Sequence, residues 1–197
     1  MSTFLSKKLT QWLIRKGAIN TNERALYEYA SFLVIYTSTP ILVVLLIGYF
    51  LHISPVKCLI FSLSFIILKK YAGGFHFNSK YLCFIISTIT ELTFILLSEY
   101  NMSVTLLSVN AVFAVISLLI WSPVVSSQRS ILNLNKRHSK TKVLRILIIM
   151  AIIIGILYTL SLKDYIAYIE YAIIMTALIQ YPALIEKRFV HDHRLCN

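Results

Sequence analysis

The segment Lys69-Lys70-Tyr71-Ala72-Gly73-Gly74-Phe75-His76-Phe77-Asn78-Ser79-Lys80-Tyr81-Leu82-Cys83 holds the side chains best suited to covalent chemistry in this sequence. A cysteine thiolate attacks a carbonyl carbon, and an imidazole takes the thiol proton and later returns it to a leaving amine. Spacing restricts how the two could meet. On one continuous helix His76 and Cys83 would share a face but stand roughly 10 Å apart along the axis, too far for a hydrogen bond between short side chains. The pattern therefore predicts His76 on a loop that folds back at Gly73-Gly74 toward Cys83, because adjacent glycines allow a tight reversal or a close approach of backbone. Ser79 or Asn78 suits the N-cap of the next helix, with Lys80 near its first position and Cys83 about one turn in. There the positive end of the helix dipole and the neighbouring lysines and histidine favour a thiolate. The plainer reading is that a single membrane-helix cysteine fills a small packing position and an interfacial histidine bonds headgroups or water.

Such a pair needs a scaffold, and the composition says of what kind. Of 197 residues, 58% are apolar and 14% charged, with mean hydropathy +0.76; a soluble domain is about half apolar and roughly a quarter charged. The net charge of +11, spread over so few ionisable residues, reports topology rather than a nucleic-acid face. In residues 1–17, Phe4, Leu5, Leu9, Trp12, Leu13 and Lys16 recur at helical spacing with Lys7, Lys8 and Arg15 beside them. This predicts an amphipathic helix in the membrane interface, against anionic headgroups, and not a signal peptide. Gly17 is its natural stop. Asn20 with Glu23 fits a capping box opening an apolar helix from Ala25 to Phe50, kinked at Pro40. Further apolar runs cover 56–68, 81–97, 102–120, 143–162 and 166–185. A span needs about 20 residues, so 56–68 is short and either snorkels through its flanking lysines or is re-entrant. The fold class expected is an all-α integral membrane protein with six transmembrane helices behind the interfacial helix, forming a single membrane domain over 1–197.

Placing both termini on one side puts every one of the 19 lysines and arginines on that side except Lys57 and Lys163, while the opposite loop 98–101 carries Glu99. By the positive-inside rule the N-terminus, loop 69–80, loop 121–142 and C-terminus are cytoplasmic. This puts His76 and Cys83 at the cytoplasmic interface of the cell membrane. A four-span arrangement, with the early segments only dipping in, is the alternative. No GxGxxG, P-loop, HExxH or inverted repeat occurs. The three cysteines, Cys58, Cys83 and Cys196, show neither a disulfide framework nor zinc spacing. His191, His193 and Cys196 form no complete ligand set, so no metal and no cofactor are expected. Glu28, Glu91, Glu170 and Gln180 fall within predicted spans, where a polar group is functional or paired. Glu28 is close enough to the interface to reach water. Glu91 is mid-span and suits a pairing with a base, a proton-accepting role or a subunit contact.

Lys-Lys-Tyr-Ala-Gly-Gly-Phe-His followed seven residues later by Cys, in a basic chain of this length and hydropathy, closely resembles the accessory gene regulator B (AgrB) family of Gram-positive bacteria. The resemblance implies a membrane cysteine endopeptidase that processes an AgrD-type propeptide into a cyclic thiolactone or lactone for quorum sensing. It implies His76 as base and Cys83 as nucleophile, with Gly73 and Gly74 supporting the catalytic loop and helix start at 69–83. Lysine stands where the family commonly has arginine, so Lys69 and Lys70 would make simple charge contacts rather than bidentate ones. The basic stretch with Arg129, Lys136, Arg137, His138, Lys140 and Lys142 is a topology determinant on its residues alone; the resemblance implies that it docks an acidic part of the propeptide. Glu28 and Glu91 are further candidate contacts, and the reading leaves room for a homodimer. Two other classes compete. A small transporter or channel would depend on Glu28, Glu91 and Glu170, and a non-catalytic membrane interaction protein would tolerate changes at both His76 and Cys83.

Overall fold

A computed structural model describes residues 2–75, 79–100, 104–125 and 136–195. Among them are seven α-helices and one two-stranded step of sheet, in two compact units, 1–47 and 48–197.

The first unit contains α1 (Ser2–Arg15) and most of α2 (Arg24–Phe50). Gly17 stops α1 as expected. Its φ is +69, its N–H donates to Ile14 and the Ala18 N–H donates to Leu13, the paired bonds of a Schellman ending that only a residue at ease with positive φ allows. Phe4, Leu5, Leu9 and Trp12 are exposed on α1. The capping box does not form. Asn20 makes no side-chain cap bond; the Glu23 N–H donates to the Asn20 carbonyl instead, closing a 3-10 turn at Thr21–Glu23 before α2 begins. Pro40 lies inside α2, where Thr37, Ser38 and Thr39 each turn a hydroxyl back onto a carbonyl one turn earlier.

The second unit holds α3 (Pro55–Ala72), β1 (Gly73–Gly74), α4 (Lys80–Glu99), α5 (Val104–Trp121), β2 (Val124–Val125), α6 (Lys136–Thr159) and α7 (Lys163–Leu195). α7 is the hub: α3, α4, α5 and α6 all pack on it, and 61% of its apolar stretch is buried against 17% for α6. Its sequence explains this. Ala172, Thr176, Ala177 and Ala183 are buried on it, and small side chains let neighbouring backbones approach where lipid supplies no hydrophobic drive. The core is a contiguous cluster of Leu68 and Ala72 from α3, Ala114 and Leu118 from α5, Val143, Leu147 and Met150 from α6, and Ile169, Ile173 and Ala177 from α7.

Four helical stretches are long and apolar enough to cross a membrane: Thr21–Phe50, Tyr81–Glu99, Arg137–Thr159 and Lys163–Glu186. Thr105–Trp121 is apolar but shorter. The 56–68 run is part of an 18-residue helix, because Lys69, Lys70, Tyr71 and Ala72 continue α3 rather than opening a loop. One face of α3 packs on protein through buried Phe61, Ser62, Phe65 and Leu68, while Val56, Leu59, Leu63 and Ile67 are exposed.

Candidate active site

The end of α3 is fixed from two sides. Gly73 takes φ +78, and a β-carbon built there would lie 2.0 Å from the Val124 carbonyl oxygen; no residue but glycine fits. The close approach lets β1 pair in parallel with β2, Gly73 opposite Val124 and Gly74 opposite Val125. At Gly74, with φ +143, a β-carbon would stand 2.9 Å from Ile179 Cγ2, so α7 closes the second side. The Phe75 N–H donates to the Ile179 carbonyl at 3.1 Å. Gln180, fully buried on α7, donates from Nε2 to the Ala72 carbonyl at 2.8 Å and to Ser122 Oγ at 2.9 Å. Pro182 sits one turn from these contacts; lacking an N–H, it interrupts the helical ladder there.

Past the described stretch ending at Phe75, α4 starts at Lys80 and puts Cys83 in its first turn. Ser79 occupies the cap position without a side-chain cap bond; its carbonyl accepts the Cys83 N–H at 3.0 Å. Cys83 is half-buried, beside exposed Tyr81 and Leu82. His76 lies outside the described residues, one position beyond Phe75 and three before Ser79. Neither Cys83 nor Cys58 is in a disulfide. Cys58 is buried in α3, where Gly48 is so close that a β-carbon there would be 2.7 Å from its sulfur; it is a packing residue.

The other candidates are dispersed. Lys69 Nζ lies 5.0 Å from the Phe65 ring centroid, and Lys70 and Lys142 both lie over Tyr71, at 5.5 and 5.1 Å. Tyr71 thus gathers a base from α3 and one from α6 beside the double glycine. Lys136 begins α6, its side chain outside the described set, and Arg137 is exposed next to it; Arg129 lies outside the described residues. The bases at 136–142 therefore belong to a helix start, not to a loop. Glu28 pairs with Arg24 at 2.9 Å within α2. Glu91 is 3% exposed and accepts a hydrogen bond from Ser62 Oγ at 2.5 Å, tying α4 to α3. Glu170 accepts one from Ser108 Oγ at 3.0 Å, tying α7 to α5. At the opposite end of α3, Lys57 meets Glu99 at 3.2 Å, and the Tyr168 hydroxyl also donates to Glu99. A cavity of about 280 Å³ between α5 and α7, with Asn110 and Ser117 in an otherwise mostly apolar lining, includes neither Cys83 nor the double glycine.

Sequence reasoning flagged Gln180 only as a polar group in a span, and it gave Ser122 no part. The in-span amide was the available signal; its partner is a main-chain carbonyl 108 positions away, which no local pattern reveals.

Comparison with known proteins adds the family. The model of Accessory gene regulator B matches residues 6–184, a range that includes α3, the double glycine, Cys83 and the first two thirds of α7. No curated protein and no solved structure matches the chain. The chain therefore belongs to the accessory gene regulator B family, and with it to the membrane proteins that process quorum-sensing propeptides.

Proposed function

We propose that this chain is a membrane cysteine endopeptidase and peptide cyclase, with Cys83 as nucleophile and His76 as base. The observation that carries the reading is the position of Cys83: a half-buried thiol in the first turn of α4, in a chain of a propeptide-processing family. Its alternative role, packing, is served in this protein by the other described cysteine, Cys58.

His76 takes the Cys83 proton, and the sulfur attacks a main-chain carbonyl of an AgrD-type propeptide, forming a tetrahedral oxyanion. Collapse breaks the peptide bond, and the imidazolium gives its proton to the departing amine, so the C-terminal segment leaves and a thioester remains on Cys83. An internal cysteine or serine of the retained peptide loses its proton to His76 and attacks the thioester. Cys83 departs, and a thiolactone or lactone ring closes. The thioester conserves the acyl-transfer potential that hydrolysis would discard, so a site partly sheltered from water favours ring closure over acid release. Main-chain N–H groups near Gly73-Gly74 or at the start of α4 suit the oxyanion. No step calls for a metal or cofactor. Lys69, Lys70 and the bases opening α6 offer charge contacts to an acidic substrate segment, with Lys136 and Arg137 foremost.

The reading includes a six-span topology in the cell membrane with both termini and the active site on the cytoplasmic side, and with α1 on anionic headgroups. The charge asymmetry supports it. So does the pairing of Lys57 with Glu99, two residues that the charge count puts together on the outer side. A homodimer is compatible with this arrangement.

The test is cleavage of a synthetic AgrD-like peptide by purified protein in lipid. Wild type and Glu91→Gln should cleave it, whereas Cys83→Ala and His76→Ala should fall by about a thousandfold or more, the scale on which catalytic-unit removals act. Wild-type cleavage by Cys83→Ala refutes the mechanism. Loss of transport with Glu91→Gln, beside intact function of Cys83→Ala, would instead favour a transporter.

A further inference from the structure

Gln180 stands out as a buried amide whose two donors are both spent on one place in the fold. Nε2 reaches the Ala72 carbonyl at 2.8 Å and Ser122 Oγ at 2.9 Å, with the residue fully buried. A main-chain carbonyl can only accept, so the amide is held NH2-end first. Its Oε1 has no partner among the described residues, so nothing there competes for the orientation. An apolar side chain would fill this position more simply in a membrane helix, since a buried amide that leaves an oxygen unpaired is costly. What the amide achieves is local. Ala72 is the last residue of α3, where helix carbonyls have no donor within the helix, and Ser122 leads through Pro123 into Val124, the residue opposite Gly73. Gln180 therefore ties together the two chain segments that enter the β1–β2 step, and the adjacent Ile179 carbonyl takes the Phe75 N–H. One turn of α7 thus holds Ala72 to Phe75 from one side while Val124 blocks Gly73 from the other.

We infer that Gln180 is a positioning residue for the catalytic loop: it sets the direction in which the backbone leaves Phe75, and so acts on the reaction through His76, the next residue. This rests on the Cys83–His76 reading above. Catalysis between two side chains is sensitive to misplacement by about 1 Å, whereas substrate affinity spread over a long peptide is not.

The experiment uses full-length protein in lipid, with Cys58 and Cys196 replaced by alanine so that iodoacetamide reports on Cys83 alone. Gln180→Met conserves length without donors. It should lower kcat for peptide cleavage about 10- to 100-fold, leave KM within about twofold, and slow alkylation of Cys83. The variant combining Gln180→Met with His76→Ala should be alkylated no more slowly than His76→Ala alone, because both act on one group. Gln180→Met cleaving at the wild-type rate, or a combined loss that multiplies, overturns the inference while leaving the nucleophile assignment intact. His76→Ala or Cys83→Ala cleaving at the wild-type rate overturns the active-site reading itself. Should Gln180→Met not be recovered folded, Ser122→Ala decides: it removes one anchor of the amide, and a 2- to 5-fold fall in kcat supports the role, whereas an unchanged kcat overturns it.

Discussion

Cys83 and Cys58 are the same chemical group in two settings that differ in burial. Cys58 is enclosed by α3 and the approach of Gly48; Cys83 is half-buried in the first turn of α4, next to exposed Tyr81 and Leu82. Iodoacetamide should therefore modify Cys83 well before Cys58, read by peptide mapping, and Cys58→Ala should retain peptide cleavage within about twofold. The double glycine is constrained more tightly than either thiol. Gly73→Ala would put a methyl 2.0 Å from a carbonyl oxygen at φ +78, and the strand step would have to separate. Cleavage should fall by at least about 100-fold with protein still inserted, measured alongside thermal unfolding to separate the local from the global loss. Wild-type activity in that variant would mean that the β1–β2 step has no part in catalysis.

Among the helices, polar side chains form interhelical links. Ser62 with Glu91 joins α3 to α4, and Ser108 with Glu170 joins α5 to α7. Interhelical hydrogen bonds of this kind contribute roughly 0.6 kcal/mol on average in membranes, and at most about 2. A double-mutant cycle on Ser62→Ala and Glu91→Gln should return a coupling in that range from unfolding in detergent, with cleavage retained. A coupling near zero would deny the link. Much of this architecture is legible in the sequence: the apolar runs mark α2, α4, α5, α6 and α7, and Gly17 marks the end of α1. The length of α3 is not, because Lys69 and Lys70 read as a polar break although they continue the helix with their ammonium groups over Phe65 and Tyr71. The β1–β2 step and the Gln180 bonds are equally hidden. Two-residue strands carry no periodicity, and a side chain bonding a distant carbonyl is a property of the packed core. The capping box failed for the opposite reason: its residue types are present, but the backbone of Asn20 takes the bond that its side chain was expected to make.

At the scale of the whole molecule, the proposed topology has the basic residues orient the chain, and substrate then arrives from the side on which they lie. The Lys57–Glu99–Tyr168 cluster, brought together by α3, α4 and α7, belongs on the outer side in this account. Membrane-impermeant maleimide applied to intact cells should label Tyr100→Cys and Ser161→Cys in an otherwise cysteine-free chain, and should label Ser2→Cys only after the cells are opened. Tyr100→Cys and Ser161→Cys labelling from different sides would break the six-span topology. The central claim concerns the bond formed at Cys83, and it is tested most directly by intact-protein mass spectrometry with a propeptide whose internal cysteine or serine is replaced by alanine. Ring closure is then blocked. The account predicts that wild type accumulates an adduct with the mass of the retained N-terminal segment on Cys83, released by hydroxylamine as a thioester should be. Cleavage of that peptide by Cys83→Ala, or an adduct mapped to any other residue, would contradict it.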